Sequence, residues 1–409
     1  MDIVIVSQYL RNIENLEGNN SRFIYLANML SENGENEVEI VTSNFMHGSK
    51  RHAIKVQQSG KFKITALEEP GYSKNVCLKR FYSHFILAQN IKDYLKERKK
   101  PDCIYCAVPS LDVAKEVSKY CKKNGVRFVV DIQDLWPEAF KMVLNIPILS
   151  NLIFAPMKCE ADAIYRQADE IVAVSSTYCE RALKLNHKCR EGYTAFLGTK
   201  LDVFDQNTKI KTNIEKKENR LWLMYCGSLG HSYDLPTVFD ALEIIKDKGK
   251  ETPYFVIMGD GPKKEEFEKY AANKGVDCLF TGQLSYQEMC AVLVKGDIVV
   301  NPIIASSPAS IINKHGDYAA SGLPVLNTQT SKEYRNLIDE YQMGFNCLSE
   351  NAEDLSDKMI ELIENSKLRV KMGRNARKCA EERFDRKHSY KKICDIILGV
   401  TNESFNNLT

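Results

Sequence analysis

The residue types best suited to chemistry in this 409-residue chain stand in NKHGDYAASGLPVLN, residues 313–327. Lys314 and Asp317 are three positions apart, so a helix would present both side chains on one face. A cation there can neutralise a diphosphate, and a carboxylate can accept hydrogen bonds from a ribose diol. A solvated ion pair at a helix end is the alternative interpretation of the same two residues.

Two glycine-containing loops follow strand-like runs and precede helical ones. YCGSLGHSYDLP, residues 225–236, carries Gly227 and Gly230, and MGDGP, residues 258–262, carries two more glycines. Backbone N–H groups can approach a phosphate at such a helix N-terminus because glycine has no side chain in the way. An ordinary tight turn would need the same residues. We interpret the first loop as a phosphate site and the second as a contact for a base or ribose.

Acids also surround one of the two tryptophans, in DIQDLWPEAF. Asp131, Asp134 and Glu138 flank Trp136 directly after the strand-like run VRFVV. Sugar hydroxyls need hydrogen-bond acceptors, and the C–H faces of a sugar pack on aromatic rings. These residue types fit a sugar site, and a tryptophan wedged between elements with surface acids would show the same pattern.

The elements that must position these residues alternate between short apolar runs and amphipathic helical stretches. Residues 3–6 are a β-branched run typical of a parallel strand covered on both faces, and residues 21–33 follow at helical spacing. The alternation restarts after the polar, lysine-rich stretch 205–220, and the chain is long enough for two domains. The pattern predicts an α/β protein with two doubly wound parallel sheets. We assign an N-terminal domain to residues 1–204, a linker to 205–220, a C-terminal domain to 221–385 and a final helix with its tail to 386–409.

The amino-acid composition is typical of a globular protein. The net charge of +2, with 44% hydrophobic and 27% charged residues, is that of a globular protein and gives no reason to expect a nucleic-acid partner. No run of about 18 apolar residues predicts a membrane span, and the start MDIVIVSQYL lacks a secretion signal, so we expect a cytoplasmic protein. The thirteen cysteines read as buried thiols, including Cys103 and Cys106 of a CxxC inside a predicted strand.

Taken in order, several motifs resemble the family 4 retaining glycosyltransferases, in the branch that builds bacterial capsule or O-antigen polysaccharides. The matching stretches are residues 19–45, 134–138, 168–176, 196–204, 227–235, 258–262 and 317–325. The resemblance implies the GT-B fold, in which two Rossmann-like domains face a cleft and the C-terminal helices cross back to the N-domain. It implies transfer of a sugar, with retention, from a nucleotide-diphosphate sugar such as UDP-sugar to a lipid-linked saccharide acceptor.

The resemblance also assigns roles to individual residues. The donor nucleotide sugar would be bound by Gly227, Ser228, Leu229, Gly230, Gly259, Asp260, Gly261, Gly282, Gln283, Lys314, Asp317 and Tyr318. The acceptor side would be formed by Gly18, Asn19, Arg22, Asp134, Trp136 and Glu138. Glu17 joins Lys314 and Asp317 as a catalytic candidate. No cofactor is implied, and no DxD motif stands where it would bind an obligatory metal.

This sequence departs from the family pattern at three places. Ala309 stands where the first of two paired acids is usual, the loop after Gly227 has neither arginine nor lysine, and residues 107–110 lack a histidine. Fewer cations then remain for the diphosphate, with Lys314 the main one and Arg22 a second. Two other functions therefore stay open, a non-hydrolysing nucleotide-sugar epimerase and a non-catalytic nucleotide-sugar-binding subunit.

A basic and aromatic stretch of the first half predicts docking on an anionic membrane surface. Residues 40–67 hold five cations and no acid. Residues 78–100 then interleave cations with Phe81, Tyr82, Phe85 and Ile86. Such a face suits the membrane on which lipid-diphosphate acceptors reside. Core aromatics beside a solvated lysine face would give the same sequence.

Overall fold

The computed structural model describes residues 1–16, 21–75, 77–141, 152–216, 220–307 and 311–400. Glu17, Gly18, Asn19 and Ala309, which the sequence singled out, lie outside these ranges. The chain packs as two compact units: Met1–Ala195 with the chain from Ser389 onward, and Phe196–His388.

The strands of the first unit are β1 (Asp2–Val6), β2 (Glu37–Ser43), β3 (Phe45–Met46), β4 (Arg51–His52), β5 (Lys63–Leu67), β6 (Cys103–Val108), β7 (Arg127–Ile132), β8 (Glu170–Ala173) and β9 (Tyr193–Thr194). Among the described residues, seven of them form one parallel sheet in the order β5-β2-β1-β6-β7-β8-β9. Ile3 of the central β1 pairs with Val38 on one side and with Cys103 on the other. Because β1 is buried along its whole length, its sequence DIVIV is apolar after the first residue.

Helices cover both faces of this sheet. Their bounds are Arg22–Leu30, Leu78–Glu97, Leu111–Asn124, Glu138–Lys141, Ala155–Gln167 and Ser176–Leu183. Alternate residues of β1 belong to separate cores, Val4 with Leu87 on one face and Ile5 with Leu26 on the other. The sheet is therefore doubly wound, as the sequence predicts.

The strands of the second unit are β10 (Trp222–Cys226), β11 (Tyr254–Met258), β12 (Cys278–Gly282), β13 (Ile298–Asn301), β14 (Val325–Asn327) and β15 (Gly344–Asn346). They form a parallel sheet in the order β12-β11-β10-β13-β14-β15. Met224 and Leu223 again face separate cores. The helices are Leu201–Asn207, Leu235–Asp247, Lys264–Asn273, Tyr286–Leu293, Asn313–Ala320, Lys332–Tyr341, Ala352–Glu364 and Ser366–Cys379, followed by the π-helical turn Ala380–Phe384.

The last described helix, Arg386–Leu398, returns the chain to the first unit. Tyr390, Ile393 and Ile397 are fully buried in the same core as Ile5. The first unit is therefore assembled from the two ends of the chain.

Two details refine the sequence analysis. Residues 205–207, the start of the predicted linker, complete the helix Leu201–Asn207, whose apolar signal is short because only Leu201 and Phe204 bury large side chains.

Cys103 and Cys106 are buried free thiols in β6, and burial raises the pKa of both. In the part of the chain that the structure describes, no helix is both long and apolar enough to span a bilayer.

Candidate functional site

The two glycine loops of the second unit pack on each other at the carboxyl ends of β10 and β11. Gly227 donates its N–H to the carbonyl oxygen of Met258 at 3.0 Å, and Leu229 donates to that of Asp260 at 2.9 Å. A Cβ added to Gly259 would overlap the carbonyl oxygen of Gly227. Glycine at position 259 is thus required by the contact between the loops.

This packing decides which groups of the loop 227–230 can meet a ligand. The N–H of Leu229 is used, and its side chain is fully buried in the core. Ser228 and Gly230 donate their backbone N–H groups to no described residue, and Ser228 is exposed. The loop therefore offers two amides, those of Ser228 and Gly230.

The loop after β12 joins the other two. Gly282, at φ +72°, accepts a hydrogen bond from the N–H of Gly259 at 2.9 Å. Gln283 and Asp260 are exposed, whereas a Cβ at Gly261 would overlap the carbonyl oxygen of Leu229. Of these loop residues, Asp260 and Gln283 present side chains to solvent.

Lys314 brings a charge to the first glycine loop. The residue is 8% exposed, and its Nζ makes no hydrogen bond with any described group. A Cβ at Gly227 would lie 3.3 Å from this Nζ, so the glycine loop approaches the ammonium closely. Burial lowers the pKa of Lys314 to about 7 because desolvation disfavours the charged form. An ammonium buried without an acceptor is costly unless a ligand supplies the acceptor.

Tyrosine rings enclose this ammonium. Nζ of Lys314 lies 4.1 Å from the ring centroid of Tyr233 and 4.4 Å from that of Tyr225. The hydroxyl of Tyr225 donates to the carbonyl oxygen of Ser228 at 2.7 Å, which ties the enclosure to the loop. Cation–π contacts offset part of the desolvation cost. The sequence analysis missed Tyr225 and Tyr233, although both stand in the segment YCGSLGHSY that contains the loop.

Asp317 lies on the helix Asn313–Ala320 with Lys314, but the two make no ion pair with each other in the described chain. Oδ1 of Asp317 accepts hydrogen bonds from Thr199 Oγ1 and from the hydroxyl of Tyr286, both at 2.9 Å. Oδ2 accepts none from the described residues. Burial raises the pKa of Asp317 to about 6. Because Lys314 is buried and unpaired, the interpretation as a solvated ion pair is wrong.

Tyr318 and Gly316 fix this helix in place. The hydroxyl of Tyr318 accepts the N–H of Cys226 at 3.0 Å and donates to its carbonyl oxygen at 3.2 Å. A Cβ at Gly316 would lie 2.6 Å from Thr199 Oγ1. Tyr318 is fully buried, and so it holds the end of β10 beneath the glycine loop.

A buried polar network at the ends of β13 and β14 was also missed. Asn301 Nδ2 donates to Asn327 Oδ1 at 2.9 Å and to Gln329 Oε1 at 3.2 Å, and lies 3.2 Å from His315 Nε2. All four side chains are fully buried. The network anchors His315, the residue next to Lys314. In the sequence it could be recognised by the polar side chain at the end of each of two apolar strands.

In the first unit, the acids around Trp136 are engaged by protein groups. Glu138 accepts a hydrogen bond from Arg181 Nε at 2.9 Å, and Asp134 accepts the N–H of the next residue at 2.9 Å. Trp136 is 6% exposed, and the guanidinium carbon of Arg80 lies 4.8 Å from its ring centroid. The structure thus places this ring in the interior, and contact of these residues with an acceptor stays a prediction.

Arg22 is buried against Asp131. Its Nε lies 3.0 Å from one carboxylate oxygen, its Nη2 donates to the other at 3.1 Å, and its Nη1 donates to the carbonyl oxygen of Ala195 at 2.7 Å. The two side chains are 2% and 0% exposed. The structure therefore gives Arg22 a structural role, whereas Lys314 lies beside the first glycine loop.

The second unit matches a protein family over most of its length. Residues 206–379 match the family model described as Glycosyl transferases group 1. This segment is similar to the group 1 glycosyltransferases and makes up less than half of the 409-residue chain. It contains both glycine loops, Lys314 and Asp317.

Two relatives in sequence are glycosyltransferases by name. An uncharacterized glycosyltransferase of Methanocaldococcus jannaschii, MJ1069, is 24% identical over 253 residues, which cover 58% of this chain and 60% of that protein. WcaI of Escherichia coli, a putative colanic acid biosynthesis glycosyl transferase, is 23% identical over 317 residues, 74% of this chain and 75% of its own. The chain thus spans three fifths of the first relative and three quarters of the second.

Solved structures show the fold over almost the whole chain. Sucrose-phosphate synthase from Thermosynechococcus elongatus superposes with a TM-score of 0.71 at 13% identity, covering 98% of both chains. HepE of Anabaena, solved in complex with UDP, gives a TM-score of 0.64 at 13% identity, covering 98% of this chain and 100% of its own. The chain has the GT-B fold, as the resemblance implied.

Proposed function

We propose that this chain is a glycosyltransferase that takes a sugar from a nucleoside diphosphate donor. The observation that carries the proposal is the buried ammonium of Lys314. It makes no hydrogen bond with the described residues and lies against Gly227, in the segment that matches the group 1 glycosyltransferases. A diphosphate would give this ammonium the acceptor it lacks. UDP is the nucleotide we propose, because HepE, of similar fold, was solved in complex with it.

The roles that we propose for these residues follow from the position at which negative charge develops during the reaction. Breaking the glycosidic bond builds negative charge on the leaving diphosphate, and groups fixed beforehand to receive that charge lower the barrier. Lys314 and the amides of Ser228 and Gly230 are the groups that we assign to this task. Asp317 is assigned to the ribose, whose hydroxyls can donate to its unused Oδ2. We propose transfer with retention, on the resemblance to retaining enzymes.

The test is incubation with UDP-sugars, with and without a lipid-linked saccharide. We expect UDP release that depends on the acceptor. Release of a changed sugar nucleotide without acceptor would mean an epimerase, and binding without any turnover would mean a nucleotide-sugar-binding subunit. Either result would overturn the proposal.

The acceptor that we propose is a lipid-linked saccharide in surface polysaccharide synthesis. Its support is the resemblance of the motifs and the likeness to WcaI, whose name refers to colanic acid biosynthesis. Such acceptors lie in membranes, and so the surface of the first unit bears on the proposal.

The basic stretch carries less free charge than its composition indicates. In residues 40–67, Arg51 already pairs with Glu14 at 2.5 Å, and Lys63 pairs with Glu39 at 3.0 Å. Of the other three cations, Lys55 and Lys61 are exposed and can meet a charged bilayer.

The helix Leu78–Glu97 exposes an apolar edge beside that stretch in sequence. Leu78, Tyr82 and Phe85, at helical spacing, are 87%, 58% and 50% exposed. Exposed aromatic side chains at an interface suit insertion among lipid headgroups. We propose that this edge docks on an anionic membrane.

Co-sedimentation with vesicles should therefore show binding that rises with anionic lipid and falls with salt, since each free cation near the surface contributes about 1 kcal/mol. Tyr82→Ser with Phe85→Ser should weaken it severalfold. The matched control is Val370→Ser, an equally exposed apolar residue of the second unit. Equal binding by both variants, or none by the wild type, would contradict membrane docking.

Asp317→Asn should weaken UDP binding more than it lowers the turnover number, because a ribose contact is made equally in ground and transition states. We expect a loss of affinity of roughly tenfold or more from one hydrogen bond to a charged group. Calorimetry with UDP and with free uridine checks it. An unchanged affinity for both would remove Asp317 from the donor site.

Transfer should persist in excess EDTA, because the ammonium of Lys314 supplies the positive charge that the diphosphate needs. The measurement is the initial rate before and after chelation, with magnesium or manganese then restored as the control. Complete loss of transfer on chelation, with recovery on adding metal, would show that a metal ion neutralises the diphosphate instead of Lys314.

A further inference from the structure

A cluster of rings and cations lies where strands of the first sheet end, and only Trp136 of its rings belongs to a motif that the sequence predicts to bind a sugar. Its rings come from loops after β1, β3, β5 and β7 and from the helix Leu78–Glu97. Because parallel strands end at one edge of a sheet, these distant segments converge there. The members, here called the ring cluster, are Tyr9, His47, Lys50, Tyr72, Arg80, His84 and Trp136.

Arg80 lies at the centre of the ring cluster and has only neutral partners. It is 9% exposed, and it donates to the hydroxyl of Tyr9 at 3.0 Å and to the carbonyl oxygen of Asn75 at 2.7 Å. Its Nε lies 3.4 Å from His84 Nε2. A guanidinium has five N–H donors, so two remain for a further acceptor.

Lys50 is the second cation and shares a partner with the first. Its Nζ donates to Asn75 Oδ1 at 2.6 Å, lies 3.1 Å from His47 Nδ1 and stands 4.9 Å from the ring centroid of Tyr72. Asn75 therefore bridges Lys50 and Arg80 through its side chain and its backbone. Two cations meet around one neutral residue.

Neither Lys50 nor Arg80 makes an ion pair with any residue in the described ranges. Arg80 acts on the carboxylate of Asp134 without pairing with it, and its charge offsets part of the rise that burial causes in the pKa of Asp134. The buried acid of this region, Glu69, accepts instead from Ser83 at 2.7 Å and from Gln8 at 3.0 Å, and burial raises its pKa.

The pKa of His47, one of the two histidines of the ring cluster, reflects this excess of positive charge. Burial, Lys50 and Arg80 together lower the pKa of His47 to about 4. Enclosed cations without a counter-charge are costly, and an anion that seats beside them recovers that cost.

We propose that the ring cluster binds an oxyanion of the acceptor, a phosphate or a carboxylate group, between Lys50 and Arg80. The inference rests on the proposed function and adds that the acceptor is an acid. A lipid diphosphate and an acidic sugar share this chemistry. The exposed edge of Leu78, Tyr82 and Phe85 on the helix that carries Arg80 favours the lipid phosphate.

The experiment uses the full chain carrying Trp222→Phe, so that Trp136, stacked near Arg80, is the sole tryptophan. UDP is kept saturating to fill the donor site, and inorganic pyrophosphate, glucuronate and glucose are titrated. We expect a saturable change of Trp136 fluorescence with pyrophosphate and none with glucose. Tighter binding of glucuronate than of pyrophosphate would identify an acidic sugar as the source of the anion.

Two variants test the cations, one by removing a cation and the other by adding a carboxylate. Lys50→Asn, which tolerates the local φ of +55°, should weaken pyrophosphate at least fivefold, whereas Lys55→Asn, an exposed lysine nearby, should not. Asn75→Asp places a carboxylate between the two cations, and so it should raise the melting temperature and abolish anion binding. No saturable signal, or equal affinity in the two lysine variants, overturns the site.

Failure of the site and failure of the proposed function are distinguishable. Anion binding without transfer would overturn the function and keep an anion site. Transfer to a neutral acceptor, with the same KM in Lys50→Asn as in the wild type, would keep the function and overturn the site.

Discussion

Replacing Lys314 by methionine is expected to remove most transfer activity and to stabilise the protein at once. A charge-assisted contact to the diphosphate contributes about 1.5–3 kcal/mol, so the rate at subsaturating donor should fall roughly 10- to 150-fold. Stability should rise because methionine fills the space without burying a charge. Transfer kinetics and urea unfolding measure the two effects.

The pKa of Lys314 determines how the stability of the protein should change with pH. The pKa of Lys314 is about 7 in the folded protein and about 10.4 when unfolded, so between these values the unfolded state binds more protons. The wild type should therefore gain stability as pH rises through that window, and Lys314→Met should lack the gain. UDP binding above pH 7 should take up a proton in the wild type alone, as calorimetry in two buffers would show.

Lys269→Met is the matched control, because Lys269 is exposed in the same domain. It should leave transfer, proton uptake and stability unchanged. Normal turnover by Lys314→Met at limiting donor would mean that the buried ammonium serves packing, and our donor site would be wrong.

Arg22→Met is expected to destabilise the first unit by about 3–5 kcal/mol, because it leaves the carboxylate of Asp131 buried without a partner. The double variant with Asp131→Leu should recover most of that loss. Trp136 reports on the first unit and Trp222 on the second, so unfolding followed in chains with one tryptophan separates the two transitions. A stable Arg22→Met with weakened UDP binding would instead restore Arg22 to the phosphates.

Sequence alone could predict the alternation of strands and helices, because β1 and its neighbours are covered on both faces and so are largely apolar. It could also single out Lys314 and Asp317 as candidates, since their spacing is local, and their role at a donor site stays a prediction. The enclosure by Tyr225 and Tyr233 could not be predicted, because tertiary packing brings together segments from two strand ends. The same holds for Arg22 with Asp131, which the sequence offered as separate ligand-binding residues.

The return of the last helix sets the order in which the protein can be completed during synthesis. All of Phe196–His388 leaves the ribosome before Tyr390, Ile393 and Ile397, which complete the core of the first unit. Most of the first unit is synthesised first, but part of its apolar surface stays uncovered until the C-terminal helix has been made. A chain truncated before Ser389 would keep every residue of the glycine loops, and the core of the first unit would still be incomplete.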